Sequence, residues 1–262
     1  MAATLLTLQV EGASGSELTL TSASVSSEDV PTLVQALNQD GRAERVRTLT
    51  LERLSVANYD VLAPLVACCP NTECLRLNRL VIRPESGAAT ASAGLLGQQI
   101  GSLRHLRELN LDHNDLRDAV LLQLGRGLEH APALHTLSLR DNELTADAGI
   151  AMAKVLIGVP SLQQLDLSLN NLGDSGIVAL SHSAGASGLR GLHLDGNFVT
   201  AVGGEALADS LCMSQSLEEL SVQDNKLGDQ GMAAIERLLE QIPTLTRLSS
   251  RGNKSMLSGT AI

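Results

Sequence analysis

Aromatic side chains are almost absent from this sequence. Its 262 residues include no tryptophan, and Tyr59 and Phe198 are its one tyrosine and its one phenylalanine. The interior must therefore be aliphatic, and stacking of nucleic-acid bases on aromatic rings is a poor explanation for binding. Positive charge is also scarce, since 19 basic residues are outnumbered by 29 acidic ones and the net charge is −10. This balance disfavours nucleic acid and favours a protein partner with a basic surface.

Signals for membranes, export and metals are missing as well. No segment approaches the roughly 18 uninterrupted apolar residues of a membrane span, and the N-terminus lacks the basic region of a secretory signal. The cysteines do not form the regular framework of a secreted disulfide-rich domain, and Cys68, Cys69 and Cys74 contain no C-x-x-C pair and have no nearby histidine. A closed zinc site would lack a ligand there. We expect a soluble cytosolic or nuclear protein without metal, cofactor or membrane contact.

One arrangement recurs along the chain, a pair of leucines in the pattern L-x-L, which in the last six repeats is accompanied by an asparagine five residues after the first leucine. The marker leucines are Leu18, Leu49, Leu75, Leu109, Leu137, Leu165, Leu192, Leu220 and Leu248. Their spacing is 26 to 34 residues and settles at 27 or 28 from Leu109 onward. A fixed period of this length predicts a solenoid, in which each unit buries its apolar face only by stacking on its neighbours.

Each repeat should contain a strand followed by a helix. The L-x-L pattern has a period of two and predicts a short strand with both leucines pointing inward. The last complete repeat continues as "DQGMAAIERLLEQI", in which Gly231, Ile235, Leu238 and Ile242 mark one helical stripe. Asp229 is placed to cap the first turn of this helix.

The asparagines are predicted to serve the fold, because the chain turns inward at these positions and its backbone groups need partners. An amide side chain offers both a donor and an acceptor, so a stack of asparagines can bridge adjacent repeats. We call this set the asparagine ladder: Asn114, Asn142, Asn170, Asn197, Asn225 and Asn253.

These motifs resemble the leucine-rich repeats of the ribonuclease-inhibitor type. The resemblance is close from Leu103 to Asn253 and loosens toward the N-terminus, where the ladder position holds Leu80, Leu54 and Ala23. It implies a right-handed α/β solenoid of about nine repeats, a horseshoe with parallel strands on the concave face and helices on the convex face. Two alternating runs at the start predict a hairpin cap.

We expect a single domain over residues 1–262. Within it, residues 1–17 contain the cap strand, 18–253 the repeats, 83–94 an insertion in one repeat and 254–262 a C-terminal tail. The tail either folds back over the last helix or leaves an apolar end for another chain to cover. Composition does not predict the oligomeric state.

Outward-facing strand positions define the surface offered to a partner. The candidate partner-binding residues are Arg76, Glu108, Asn110, Asp112, Arg140, Asp166, Ser168, His193, Asp195, Glu219, Gln223 and Arg251. Acids dominate the middle of this set. Asp166 with Asp195 could suggest an acid and base pair, and His193 with Asp195 and Ser168 a triad, but one open sheet face provides neither an apolar pocket nor an oxyanion hole.

The sequence thus predicts a non-enzymatic module that binds a basic protein partner on an acidic concave face. Two alternatives remain open. One is a regulator of a small GTPase, because the Ran GTPase-activating proteins are built on similar repeats. The other is a structural subunit of a larger ciliary, cytoskeletal or ubiquitin-ligase assembly.

Overall fold

The computed structural model describes residues 7–11, 16–21, 25–82 and 93–253. The predicted insertion lies outside the described residues except for its last two positions, and the predicted C-terminal tail lies entirely outside them. The insertion and the tail remain predictions, as does the assignment of residues 1–262 to a single domain.

The chain divides into two compact units, which we describe separately. The first unit comprises the residues up to Asn114 together with Leu122–Leu137. The second comprises Asp115–Leu121 together with the residues from Ser138 onward.

The first unit is built on a sheet of short strands that run mainly parallel. The strands are β1 (Thr7–Glu11), β2 (Glu17–Thr21), β3 (Thr48–Glu52), β4 (Ser55–Val56), β5 (Cys74–Asn78), β6 (Val81–Ile82), β7 (Glu108–Asn110) and β8 (Thr136–Ser138), the last of which ends in the second unit. Strand β1 pairs antiparallel with β2, which confirms the N-terminal hairpin. Strands β2, β3, β5 and β7 follow in parallel register, and their marker leucines align. Strands β4 and β6 form a separate parallel pair.

The helices of the first unit vary in length, from 4 residues in the second to 12 in the last. They are α1 (Asp29–Asn38), α2 (Arg42–Arg45), α3 (Ala63–Ala67), α4 (Gly94–Ser102) and α5 (Arg117–Leu128), whose residues are divided between the two units. Two 3₁₀ turns, Gln39–Gly41 and Tyr59–Leu62, occupy the less regular repeats. The tyrosine of the second turn is buried, and its hydroxyl donates a hydrogen bond of 2.7 Å to the carbonyl oxygen of Asn114. A buried phenol normally requires such a partner.

The second unit repeats the same plan with greater regularity. Its strands are β9 (Gln164–Asp166), β10 (Gly191–His193), β11 (Glu219–Ser221) and β12 (Arg247–Ser249). Its helices are α6 (Ala146–Gly158), α7 (Gly173–Ala186), α8 (Ala201–Leu211), α9 (Gly228–Glu236) and α10 (Leu238–Gln241). The four strands are parallel, and Leu165, Leu192, Leu220 and Leu248 are in register.

Both units have the aliphatic core that the composition requires. Leu165 in β9 and Leu167 just after the strand are fully buried, while Asp166 between them points outward. Leu248 is only half-buried, and Ser250 occupies the position of the second leucine in that repeat. The alternation of buried and accessible side chains along each strand is the period of two that the sequence predicts.

The last complete repeat confirms the predicted helical stripe and corrects its capping residue. Gly231, Ile235, Leu238 and Ile242 are all buried, although the helix is interrupted between α9 and α10. Asp229 was expected at the N-cap, but it lies inside the first turn and Leu227 occupies the cap position without a side-chain hydrogen bond. A carboxylate in the first turn still interacts favourably with the N-terminal end of the helix dipole. With strand and helix alternating in each repeat, the predicted α/β solenoid is confirmed.

Candidate functional site on the strand face

The asparagine ladder holds the end of each strand against the next repeat. Nδ2 of Asn170 donates to the carbonyl oxygens of Leu139 and Leu167, at 3.0 and 2.8 Å. Its Oδ1 accepts from the backbone N–H groups of Asn142 and Leu144, at 3.0 and 3.1 Å. Nδ2 groups of the other five ladder asparagines also donate to backbone carbonyls, and all six side chains are buried. The amides are therefore used by the backbone rather than presented to a ligand.

Leucine replaces asparagine at the ladder position of the two preceding repeats. Leu54 and Leu80 are both buried. The backbone N–H of Leu80 donates to Oδ1 of Asn114 at 2.8 Å, so the first ladder asparagine also serves the repeat before it. Apolar packing thus fills the position where no amide is available.

We define the strand face of each unit as the surface formed by the outward-pointing strand side chains. In the first unit, an arginine lies beside the acid of the neighbouring strand. Nη2 of Arg76 is 3.1 Å from Oε1 of Glu108. One strand end has the same arrangement, with Glu52 lying between Arg53 and Arg79 at 3.5 and 3.6 Å. These ion pairs are partly exposed and contribute little stability each, but they reduce the negative potential of this face.

Two other predicted residues of the first unit form a local turn. Oδ1 of Asn110 accepts a hydrogen bond of 2.9 Å from the backbone N–H of Asp112, and both side chains are half-buried. Asn110 therefore shapes the end of its own strand.

The strand face of the second unit carries a row of three carboxylates held by hydrogen bonds and an ion pair. Oδ1 of Asp166 accepts from the backbone N–H of Ser168 at 2.8 Å. Oδ1 of Asp195 accepts from the hydroxyl of Ser221 and from the backbone N–H of Gln223, the latter at 2.7 Å. We call Asp166, Asp195 and Glu219 the carboxylate row; all three are half-buried.

Glu219, the third member, lies beside one predicted contact residue and beside an arginine of the next strand. Its Oε2 lies 2.6 Å from Nη2 of Arg247, and its Oε1 lies 3.9 Å from Nε2 of His193. The structure thus brings His193 beside Glu219 rather than into a triad with Asp195 and Ser168. Arg140 and Gln223 are half-buried and Arg251 is exposed on the same unit.

Ser168 is not accessible to a partner, contrary to its assignment as a contact residue. Its exposed fraction is 0%, and its hydroxyl oxygen accepts from the backbone N–H of Asp195 at 3.3 Å. Ser221, at an outward position two repeats further on, is buried as well. Both hydroxyls are used within the protein, since that of Ser168 bonds to the backbone of Asp195 and that of Ser221 donates to Oδ1 of the same residue.

The described parts of the chain show no grouping of side chains typical of a metal site. Among those residues, no three histidine, cysteine, aspartate or glutamate side chains come together as metal ligands. A helix with the length and apolarity to cross a bilayer is likewise missing from the ranges that the structure describes.

Three cysteines of the first unit have distinct environments. Burial raises the pKa of the Cys74 thiol to about 11, with the charge of Arg76 opposing the shift. The hydrogen bond between the sulfur atoms of Cys68 and Cys69, 3.7 Å apart, lowers the pKa of Cys68 and raises that of Cys69, which burial raises further.

We expect iodoacetamide at pH 8 to modify Cys68 faster than Cys74, because the thiolate is the reacting species and Cys68 ionises more readily. Mass spectrometry of timed samples measures both rates. Replacing Cys69→Ala removes the thiol partner and should slow the modification of Cys68. Equal rates at Cys68 and Cys74 in the native protein would contradict this prediction.

The sequence patterns do not predict two apolar residues that the structure places on the surface. Leu169 and Phe198 lie just beyond the strand ends of the second unit, with 42% and 52% of their surface accessible. Both have positive φ, at 56° and 60°. An alignment of the repeats could have revealed Leu169, because His113, Asp141, Gly196, Asp224 and Gly252 occupy the equivalent position.

Comparison with known proteins identifies the repeats. The family model described as "Leucine Rich repeat" matches residues 102–119, 160–181 and 214–235. The ribonuclease inhibitor of Sus scrofa is 36% identical over 154 residues, which cover 57% of this chain and 34% of that protein. The NACHT, LRR and PYD domains-containing protein 12 of Mus musculus is 37% identical over 148 residues, covering 55% and 14%. The RAN GTPase-activating protein 2 of Arabidopsis thaliana is 31% identical over 119 residues, covering 45% and 22%.

The matches cover only part of each relative's length. The matched part spans about a third of the ribonuclease inhibitors and a smaller share of the other relatives. Among solved structures, the internalin C2 of Listeria monocytogenes has a TM-score of 0.51 at 20% identity, covering 88% of this chain and 85% of its own, and so resembles it in fold. Leucine-rich-repeat proteins commonly bind other proteins. Together with the repeat geometry, the comparisons show that the chain contains leucine-rich repeats similar to those of the ribonuclease inhibitors.

Proposed function

We propose that this chain is a non-enzymatic module that binds a protein partner with a basic surface, and that the strand face of the second unit is the principal contact. The observation that carries the proposal is the carboxylate row, whose acceptors are fixed in place before a partner arrives. Groups that are already ordered lose less conformational entropy on binding. The ribonuclease inhibitors, by their name, act on another protein, which supports the same class of function here.

The geometry of Asp195 supports a role in recognition. Within the described residues, its side-chain hydrogen bonds end on Oδ1. Oδ2 can therefore accept from a lysine or arginine of a partner. The chain's net charge of −10 would also attract a basic partner over a distance and raise the rate of association.

The arginines on the same face set a limit on this attraction. Arg247 lies beside Glu219, so a basic partner must displace it or approach around it. We therefore place the main contact at Asp166 and Asp195, with Glu219 at one side. In the first unit, the pairing of Arg76 with Glu108 argues for a lesser contribution.

The test is affinity capture from native lysate with a variant that removes charge and keeps shape, Asp166→Asn with Asp195→Asn and Glu219→Gln. Each new amide retains an oxygen acceptor, so the fold should survive. We expect about tenfold weaker retention of the specific partner, and a loss of binding by the native protein as salt is raised.

The matched control removes the same charge from the helical side of the second unit, through Asp209→Asn, Glu236→Gln and Glu240→Gln, all at exposed positions. This control should retain the partner as the native protein does. Equal retention by both triple variants and the native protein would reject the strand face as the contact. The identity of a captured protein separates the alternatives, since a small GTPase would indicate a GTPase regulator and a set of co-purifying subunits would indicate an assembly component.

A further inference from the structure

The chain's one phenylalanine lies on the surface, although the interior is almost free of aromatic residues. Phe198 has 52% of its surface exposed. It follows Asn197 of the ladder, at the point where the chain leaves the strand. A large apolar side chain gains its usual stabilisation only when it is buried, so its exposure here does not serve the core.

Leu169 is likewise an apolar residue at an exposed position. It is 42% exposed, and its φ of 56° lies in the left-handed region. That conformation costs most residues roughly 1–2 kcal/mol, while glycine, asparagine and aspartate adopt it more readily. Phe198, with a φ of 60°, carries the same cost. Two bulky apolar residues thus occupy exposed and unfavourable positions within one unit.

The two side chains lie on consecutive repeats of the second unit. A Cβ atom on Gly196 would lie 2.8 Å from Cδ2 of Leu169, so the leucine packs directly over this glycine. Phe198 is two residues further on, and Nζ of Lys226 lies 4.9 Å from the centre of its ring. A cation at this distance interacts favourably with the ring face and helps to hold it. We call Leu169, Gly196, Phe198 and Lys226 the rim patch.

Acidic residues lie on both sides of the rim patch. On one side, the backbone N–H of Asp141 donates to the carbonyl oxygen of Ser168, which places Asp141 beside Leu169. Glu143 follows two residues after Asp141; the hydrogen bond and charge of Asp115 raise its pKa, while Arg117, whose Nε lies 3.4 Å from Oε2 of Glu143, opposes the shift. On the other side lies Asp224, in the repeat after Gly196. The side chains of Asp141, Glu143 and Asp224 are exposed.

We infer that the rim patch is a docking site for a protein segment that carries an apolar side chain next to lysine or arginine. The apolar side chain would cover Leu169 and the part of Phe198 that Lys226 leaves open, and the basic residues would face the acids at the two ends, away from Lys226. Binding anchors are commonly aromatic or apolar side chains with charged groups around them. The same acids would repel an anionic membrane or an acidic peptide. This site adjoins the strand face, since the backbone N–H of Leu169 donates to the carbonyl oxygen of Asp195 at 2.6 Å, but it uses other side chains and does not depend on the function proposed for that face.

The test is a selection of random 12-residue peptides displayed on phage against the native protein, followed by affinity measurements on the synthesised peptides. The decisive variant is Leu169→Asn with Phe198→Asn. Asparagine accepts the left-handed conformation, so the fold should be retained. We expect the recovered peptides to combine an apolar residue with lysine or arginine, and to bind the double variant at least tenfold more weakly.

Two controls make the result specific. Ile157→Asn changes a residue on α6 that is 75% exposed and lies away from the patch, and it should leave peptide affinity unchanged. The variant Asp166→Asn with Asp195→Asn and Glu219→Gln should also bind the peptides normally, so failure of the strand-face proposal and failure of this one are distinguishable. Asp224→Asn should weaken the basic peptides without altering an apolar residue.

Recovered peptides without the combination of apolar and basic residues would overturn the proposal. So would peptides that bind the native protein and the double variant equally. If thermal unfolding shows that the double variant is not folded, the Asp224→Asn variant decides, and unchanged affinity in that variant overturns the proposal.

Discussion

Replacing Asn170 with leucine should lower the free energy of unfolding by about 4 kcal/mol or more, because each buried backbone group left without a partner costs roughly 1–3 kcal/mol. The amide of Asn170 donates to the carbonyls of Leu139 and Leu167 and accepts from the N–H groups of Asn142 and Leu144. Leucine has similar volume but replaces none of these bonds. Because whole domains are stable by only about 5–15 kcal/mol, the variant is expected to be partly unfolded at ordinary temperature.

Urea denaturation followed by circular dichroism measures this loss. The matched control is Asn171→Leu, which changes the neighbouring, exposed asparagine and should alter stability by less than about 0.5 kcal/mol. In the repeats that carry Leu54 and Leu80, backbone pairing of β4 with β6 bridges the repeats instead, for example through the bond of 2.8 Å from the N–H of Val81 to the carbonyl oxygen of Leu54. A similar stability for the Asn170→Leu and Asn171→Leu variants would show that the ladder amides contribute little.

Replacing Gly127 with alanine should destabilise the first unit by about 3 kcal/mol or prevent its folding, since inserting atoms into a closely packed contact typically costs about 1–3 kcal/mol and occasionally more. A Cβ atom at position 127 would overlap the carbonyl group of Gly97, and both positions are helical, in α5 and α4. A backbone carbonyl cannot rotate away as a side chain can, so the two helices would have to separate. Elsewhere in a helix, the same change is favourable by about 1 kcal/mol.

The control for this prediction is Gly94→Ala at the start of α4, where an added Cβ atom would meet no neighbour within 4 Å. We expect the melting temperature to fall strongly for Gly127→Ala and to stay unchanged or rise for Gly94→Ala. A Gly127→Ala variant as stable as the native protein would mean that the helices can move apart at little cost.

The repeated backbone was predictable from the sequence because it depends on short patterns. Marker leucines, the hairpin and the stripe from Gly231 to Ile242 each follow from spacing and apolarity alone. The capping role of Asp229 was wrong because a helix start can shift by two residues without disturbing the apolar stripe. Backbone strain at Leu169 could not be predicted from a single repeat, since its residue type favours other conformations.

The side-chain pairs on the strand face were predictable only in part. Arg247 lies opposite Glu219 in the strand register, and the repeat length of 28 residues alone would pair them. Arg76 lies opposite Asn110 in register but reaches diagonally to Glu108. A long side chain can contact either the opposite or the diagonal neighbour, and the strand register alone does not predict which of the two it contacts. Ser168 was misassigned for a related reason, because orientation along a strand does not reveal that a neighbour covers a short side chain.

The reach of the ladder amides also bears on how such a chain could change in length. The contacts of Asn170 beyond its own turn join residues 26 to 31 positions apart, which is one repeat in every case. Gaining or losing one whole repeat would therefore leave every amide with a carbonyl and an N–H at the usual distance along the chain. A shift of a single residue within a strand would instead break those bonds and turn its leucines outward. The unit that can be duplicated or deleted without cost to its neighbours is the complete repeat, so variation in this architecture should proceed in steps of about 28 residues.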